Sequence, residues 1–362
     1  KPTRTCFLVL GMHRSGTSAL TYCISLMGAS LPKNPMGGNS SNIKGHWECE
    51  PLVVYLEKMI SKLGSSWDDW NFLNFDNLDV KTREKFKLDI MNIIDEQYGQ
   101  APLFVLKDPR ICRFSNFFIT ILEEAGINVV PIIQYRNPLE VIASLQNRKH
   151  FWNEDKSDVE ATLLWLTHNL EAEKSTRNRD RLFMNFDSLI KNPLSTLKSF
   201  HGLKLANFPE ITNDSLSKIN KFLSPHLKHQ TFNWKDLNCN DNVKFWAKTV
   251  FGSFYQLENK INVSGAESDL DLVFKSYFTA IPLLSSVINQ KNRFHLEAQT
   301  VHELRSVVEQ NERDLVLERK RYSDAEQTVH ELSSVIEQNE RDLDLERKRY
   351  SDAEQTVHEL SS

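Results

Sequence analysis

Eight residues near the start of this 362-residue chain, Gly11-Met12-His13-Arg14-Ser15-Gly16-Thr17-Ser18, carry its clearest chemical signal. Their spacing is that of a nucleotide-binding phosphate loop, G-x-x-x-x-G-K-[ST], except that Thr17 stands where the loop carries lysine. Successive backbone N–H groups and the N-terminus of a following helix make an anion cradle, and Ser and Thr hydroxyls add donors. The cation that reaches a β- or γ-phosphate is missing. The spacing therefore predicts a cradle for a terminal phosphate, with Arg14 supplying charge from inside the loop. The competing reading is a glycine turn in which Ser15 and Thr17 merely cap a helix.

A second anion station is offered by Arg136, which closes an apolar run, and Ser144, eight residues further on. At a strand end followed by a helix, these give one phosphate a forked cation and a hydroxyl. A surface ion pair between Arg136 and Glu140 is the alternative.

Elements must hold these residues in place. Thr5-Cys6-Phe7-Leu8-Val9-Leu10 reads as a strand, as do Leu103-Phe104-Val105-Leu106 and Val129-Val130-Pro131-Ile132-Ile133-Gln134-Tyr135. Helical patterns at 18–27, 51–63, 81–98, 116–125, 139–148 and 158–174 separate them. Fully apolar strands alternating with helices predict an α/β fold, a P-loop-like parallel sheet flanked by helices, with ligands at the carboxyl ends of the strands. Amphipathic helices at 241–261 and 268–290, joined through 262–267, complete the globular part. The domain reading is 1–235, a helical extension over 236–295, and a third segment over 296–362.

The run Leu10-Gly11-Met12-His13-Arg14-Ser15-Gly16-Thr17-Ser18-Ala19-Leu20 resembles the 5′-phosphosulfate loop of sulfotransferases, particularly bacterial and carbohydrate-modifying ones. The resemblance extends over about residues 5–235. It includes Asn42-Ile43-Lys44-Gly45-His46-Trp47-Glu48, Leu106-Lys107-Asp108-Pro109-Arg110, and Tyr135-Arg136-Asn137-Pro138 with Ser144. Phe186-Asp187-Ser188-Leu189 with Asn192-Pro193 resembles the later strand-loop-helix. The order and spacing of these motifs carry the resemblance, and no single one does.

What the resemblance implies is a sulfotransferase fold and the donor 3′-phosphoadenosine 5′-phosphosulfate (PAPS), with no metal. Donor contacts fall to Arg14, Ser15, Gly16, Thr17, Ser18, Arg136 and Ser144. Glu48 matches the catalytic carboxylate of carbohydrate-modifying relatives, and His46, Glu50 and Asp108 are its rivals. As a bland alternative, Glu48 is an acid favoured by a helix N-terminus just ahead of Pro51. Arg14, Lys107 and Arg110 are the candidates for stabilising the transferring sulfuryl group, although Lys107 and Arg110 also read as a surface cluster. Trp152, Trp165 or Phe186 would supply an aromatic wall for adenine. A basic loop near the C-terminal end has no clear match beyond His226-Leu227-Lys228-His229.

Charge and repeats separate the two ends. Residues 297–362 hold 9 Lys/Arg against 17 Asp/Glu, whereas residues 1–296 hold 35 against 31. The acidic part repeats every 28 residues, with Glu326-Gln327-Thr328-Val329-His330-Glu331-Leu332 returning as residues 354–360. Taking Val301 as heptad position a, every a residue to Val357 is apolar, while d positions include Asn311, Glu318, Asn339 and Glu346. This seven-residue period without Gly or Pro predicts a long helix forming a left-handed parallel coiled coil, dimeric or trimeric.

Other features narrow the classes. No stretch reaches the ~20 continuous apolar residues of a membrane helix. Five scattered cysteines without CxxC spacing exclude a zinc site or disulfide framework. With these features, the resemblance implies a cytoplasmic enzyme, peripheral at most to the inner membrane face, acting on a polysaccharide or glycolipid. Its partners are a carbohydrate acceptor, further copies of itself and, because the sequence stops inside a repeat, further C-terminal domains; nucleic acid is not among them. A P-loop kinase of a sugar or lipid, and an inactive scaffold working through its coiled coil, are the other function classes.

Overall fold

The computed structural model describes residues 4–38, 42, 44–73, 75–147, 156–202, 210–223, 232 and 242–361. Four apolar runs form strands, β1 (Thr5–Leu10), β2 (Leu103–Lys107), β3 (Asn128–Tyr135) and β4 (Leu182–Asn185). They make one parallel sheet in the order β2-β1-β3-β4. Side chains alternate across a strand, and β1 uses both sides. Cys6, Leu8 and Leu10 join Leu52, Leu56, Ile90, Ile94, Phe118 and Leu122 in one buried cluster. Phe7 and Val9 join Leu20, Ile24, Leu189, Leu197 and Ile219 in another. With both faces covered, the strands have no polar side to show, which is why they read as unbroken apolar runs.

The first cluster is closed by α2 (Glu50–Lys62), α3 (Val80–Tyr98) and α4 (Ser115–Glu124). The second is closed by α1 (Thr17–Leu26), α7 (Phe186–Lys191), α8 (Pro193–Leu197) and α9 (Asn213–Phe222). Local chemistry sets the helix starts. The Asp79 side chain caps α3 by accepting from the Thr82 N–H, and Asn137 caps α5 (Pro138–Gln146). Ser157 and Glu160 form a reciprocal capping box on α6 (Asp158–Thr176). α6 is buried almost all round, and α10 (Asn242–Glu258) packs against it and β4.

By its internal contacts the chain divides into Lys1–Ser285 and Ser286–Ser362. The segment set apart in the sequence as 236–295 thus supplies α10 and the first turns of α11 (Val263–Ser361) to the first unit. Val263–Phe294 is long and apolar enough to cross a membrane by length and composition alone, although Asp269, Asp271 and Lys275 interrupt its apolar run. Ala266, Leu270, Val273, Tyr277 and Ile281 on it are buried in the domain, with the Tyr277 hydroxyl hydrogen-bonded to Thr167 (2.7 Å) and to the Leu163 carbonyl (3.0 Å).

The second unit is helix throughout its described residues. The a residues from Val301 to Tyr350 are all at least half exposed. Val287 and Phe294, on the same seven-residue step, are exposed as well, so the apolar stripe begins ahead of residue 296.

Candidate active site

The phosphate loop leaves the carboxyl end of β1 and is shaped by two glycines. Gly11 has φ +148°, and a Cβ there would lie 2.3 Å from the Gln134 carbonyl oxygen on β3. Gly16 has φ +86°, and a Cβ there would lie 2.0 Å from the Phe186 ring. Neither site admits a side chain. The Gly11 N–H donates to Cys112 Sγ at 3.0 Å, and the Ser15 N–H to the Met12 carbonyl at 3.1 Å. Arg14 takes a left-handed backbone, φ +70°. α1 begins at Thr17 with Gly16 as its N-cap and no side-chain cap, so the helix-capping roles considered for Ser15 and Thr17 are not what these residues do. The Ser15 hydroxyl is fully buried with no hydrogen-bond partner among the described residues.

One edge of the loop meets the end of β3. Arg14 Nε donates to Ser144 Oγ at 2.8 Å, and Arg136 Nη1 to the Arg14 carbonyl at 3.1 Å. Arg136 Nε donates to Glu140 Oε2 at 2.8 Å. That pair was the competing reading for Arg136, but both residues are buried rather than on the surface. The guanidinium also lies over the Phe186 ring, 4.8 Å from its centroid. Phe232 is tied to the same corner: its N–H donates to Glu140 Oε1 (3.3 Å) and its carbonyl accepts from Asn137 Nδ2 (2.9 Å).

The other edge meets the end of β2. Lys107 Nζ donates to Glu48 Oε1 at 2.7 Å and to Ser18 Oγ at 3.2 Å. Lys107 is 1% exposed and Glu48 5%. Arg110 is held by Asp108 (3.0 Å) and Glu57 (2.6 Å), with Glu48 Oε2 at 3.9 Å. Burial raises the Asp108 carboxyl above its usual range, with Arg110 pulling the other way. Asp108 therefore orients Arg110, and Lys107 and Arg110 are not a surface cluster. Of the remaining rivals for the base, Glu50 is exposed on α2.

All the sequence-predicted site residues thus assemble around one loop, with Arg14, Arg136 and Ser144 on one side and Ser18, Lys107, Glu48 and Arg110 on the other. The proposed adenine aromatics do not line an open site. Trp165 is fully buried and Phe186 lies under the loop, while Trp152 and residues 226–229 fall outside the described residues. Sequence reasoning missed Cys112, the loop's anchor, and the contact of His13 with Trp67 (5.0 Å between ring centroids) and His168 (5.9 Å). Trp67 belongs to a loop fixed from below: Arg113 donates to the carbonyls of Asp69 (2.7 Å) and Asn71, and Thr167 to that of Trp70 (2.6 Å).

No protein-family model matches the chain, and no curated protein matches it. Among solved structures it is similar to the sulfotransferase domain of the Synechococcus PCC 7002 olefin synthase, at 17% identity and a TM-score of 0.41, over 70% of this chain and 96% of that one. It is also similar to the sulfotransferase domain from the curacin biosynthetic pathway, at 15% identity and a TM-score of 0.39, over 70% of this chain and 99% of that one.

Proposed function

We propose that this chain is a sulfotransferase that moves a sulfuryl group from PAPS to a hydroxyl of a carbohydrate, in a polysaccharide or glycolipid. The observation that carries the reading is a phosphate loop with Thr17 in the lysine position and cations on both of its edges. The buried, unpartnered Ser15 hydroxyl and the uncapped start of α1 fit a phosphate seated in the loop. Ser15, Gly16, Thr17 and Ser18, with Arg14 inside the same loop, hold the 5′-side of the donor, and Arg136 and Ser144 the 3′-phosphate. A bisphosphate donor needs two such stations; a γ-phosphate donor needs the missing lysine and a metal.

Glu48 accepts the proton of the acceptor hydroxyl. The acceptor oxygen forms the new bond to sulfur while the sulfur bond to the bridging oxygen breaks, leaving the negative charge on the departing bisphosphate. Lys107, Arg14 and Arg110 stabilise that charge, and the buried site keeps their field strong. The loop that carries Trp67 forms the acceptor wall, its rigidity set by Arg113. Further copies of the chain pack along the exposed a positions of α11, since an unbroken apolar stripe serves no purpose on a lone solvated helix. The chain acts in the cytoplasm in this reading.

The test is mass spectrometry of glycans incubated with the protein and PAPS. A sulfate mass shift is expected with the wild type, and its loss with retained donor binding in Glu48→Gln. Undiminished transfer in Glu48→Gln moves the base elsewhere.

A further inference from the structure

The residue just ahead of Glu48 has a backbone its side chain opposes. Trp47 has φ +60°, a left-handed region that bulky residues rarely enter because the Cβ crowds the following carbonyl. The surrounding hydrogen bonds explain how it is held there. The Met36 carbonyl accepts the N–H groups of both His46 (3.2 Å) and Trp47 (3.2 Å), while the Met36 N–H donates to the Glu48 carbonyl at 2.7 Å. Pro35 and Cys49 pair antiparallel beside them. Two residues thus oppose one, the pattern of a β-bulge, which kinks the strand and redirects the side chains around it.

The indole supplies the lock. It stacks on Tyr22 with centroids 4.6 Å apart and planes at 21°, and Tyr22 in turn lies 4.4 Å from Phe222. Gly45, at φ +97°, passes so close that a Cβ there would come within 3.1 Å of the Trp47 ring. Among the described residues the buried indole N–H has no acceptor, and it is aromatic packing that holds the ring. Strain of this kind persists only where the surroundings over-determine it. Here its outcome is a Glu48 carboxylate buried and aimed at Lys107, 2.7 Å away.

We propose that Trp47 is a positioning residue: its left-handed backbone, set in the bulge against Met36 and locked by Tyr22, turns Glu48 onto Lys107. The inference rests on the reading of Glu48 as the base, and Trp47 acts through Glu48 without touching the acceptor.

The test compares Trp47→Gly with Trp47→Ala. Both lose the indole, and they differ in the Cβ that opposes a left-handed backbone. In each background, a double-mutant cycle with Glu48→Gln and Lys107→Met reads the Glu48–Lys107 coupling from urea unfolding, a quantity that needs neither donor nor acceptor. The coupling is expected to stay near its wild-type value in Trp47→Gly and to fall by at least half in Trp47→Ala, with kcat falling in the same order and affinity for adenosine 3′,5′-bisphosphate unchanged. Equal coupling in the two variants overturns the proposal. If the coupling differs as expected but the wild type binds no bisphosphate, the sulfuryl-transfer reading fails and the positioning role stands. Tyr22→Leu keeps Trp47 but removes its platform, and answers the question should Trp47→Ala not fold. Weakened coupling there supports the proposal and unchanged coupling contradicts it.

Discussion

Replacing Lys107 with Met strands the Glu48 carboxylate in a buried site. At 2.7 Å, two opposite charges attract by about 6 kcal/mol with an effective dielectric of ~20. Burying each ion costs several kcal/mol. The intact pair therefore contributes little net stability, yet breaking it is expensive, about 3–5 kcal/mol in comparable buried pairs. Arg110 cannot step in, because at 3.9 Å from Glu48 it already serves Asp108 at 3.0 Å and Glu57 at 2.6 Å. For the unit Lys1–Ser285, 3 kcal/mol lowers the melting temperature by roughly 5 °C. Glu48→Gln together with Lys107→Met removes both charges and is expected to recover most of that loss. Urea unfolding of the wild type, both single variants and the double variant measures the cycle. Additive single effects, with no recovery in the double variant, would refute the view that the pair is a charge couple held for chemistry rather than for stability.

Three further outcomes are expected. Gly16→Ala drives a Cβ into the Phe186 ring at 2.0 Å from a backbone with φ +86°; urea unfolding should show a loss of roughly 2–5 kcal/mol from left-handed strain plus overpacking, and bisphosphate affinity should fall with it. Burial beside Arg113 and Arg110 pushes His168 down to about 3 from an ordinary 6.5. The unfolded chain then takes up a proton that the folded one refuses, so stability is full above pH 6.5 and drains as pH falls toward 3, by up to about 5 kcal/mol; His168→Gln should flatten that slope in denaturant titrations. Val308→Asp with Val329→Asp places charges in the apolar stripe of α11, and sedimentation should show an oligomer in the wild type and a monomer in the variant.

β1, β2 and β3 were legible because each is an apolar run buried on both faces and bounded by turn residues, whereas β4 (Leu182–Asn185), only four residues long, was not read as a strand. The loop was legible because its glycines are forced: Gln134 and Phe186 leave no room at Gly11 and Gly16. Even there the sequence displays only the glycines, not the residues that demand them, since both lie far along the chain. The cations were found as types and positions, but their pairings were not. Glu140 was named for Arg136 and placed on the surface, whereas the fold buries the pair beneath the loop. Cys112 looked like a stray thiol and proves to accept the Gly11 N–H. Nothing in the letters Gly-His-Trp-Glu announces a left-handed tryptophan, because the contacts that impose it come from Met36 and Tyr22. The join between the last two helices spans only residues 259–262, shorter than the 262–267 read from the sequence.

Titration calorimetry with adenosine 3′,5′-bisphosphate, in the presence and absence of Mg²⁺, tests the central claim most directly. The expected result is metal-independent binding that weakens at least tenfold in Arg136→Lys, where the charge remains but the fork that reaches Glu140 and the Arg14 carbonyl is gone. Binding of Mg-ATP with no affinity for the bisphosphate would contradict it and return the loop to the kinases.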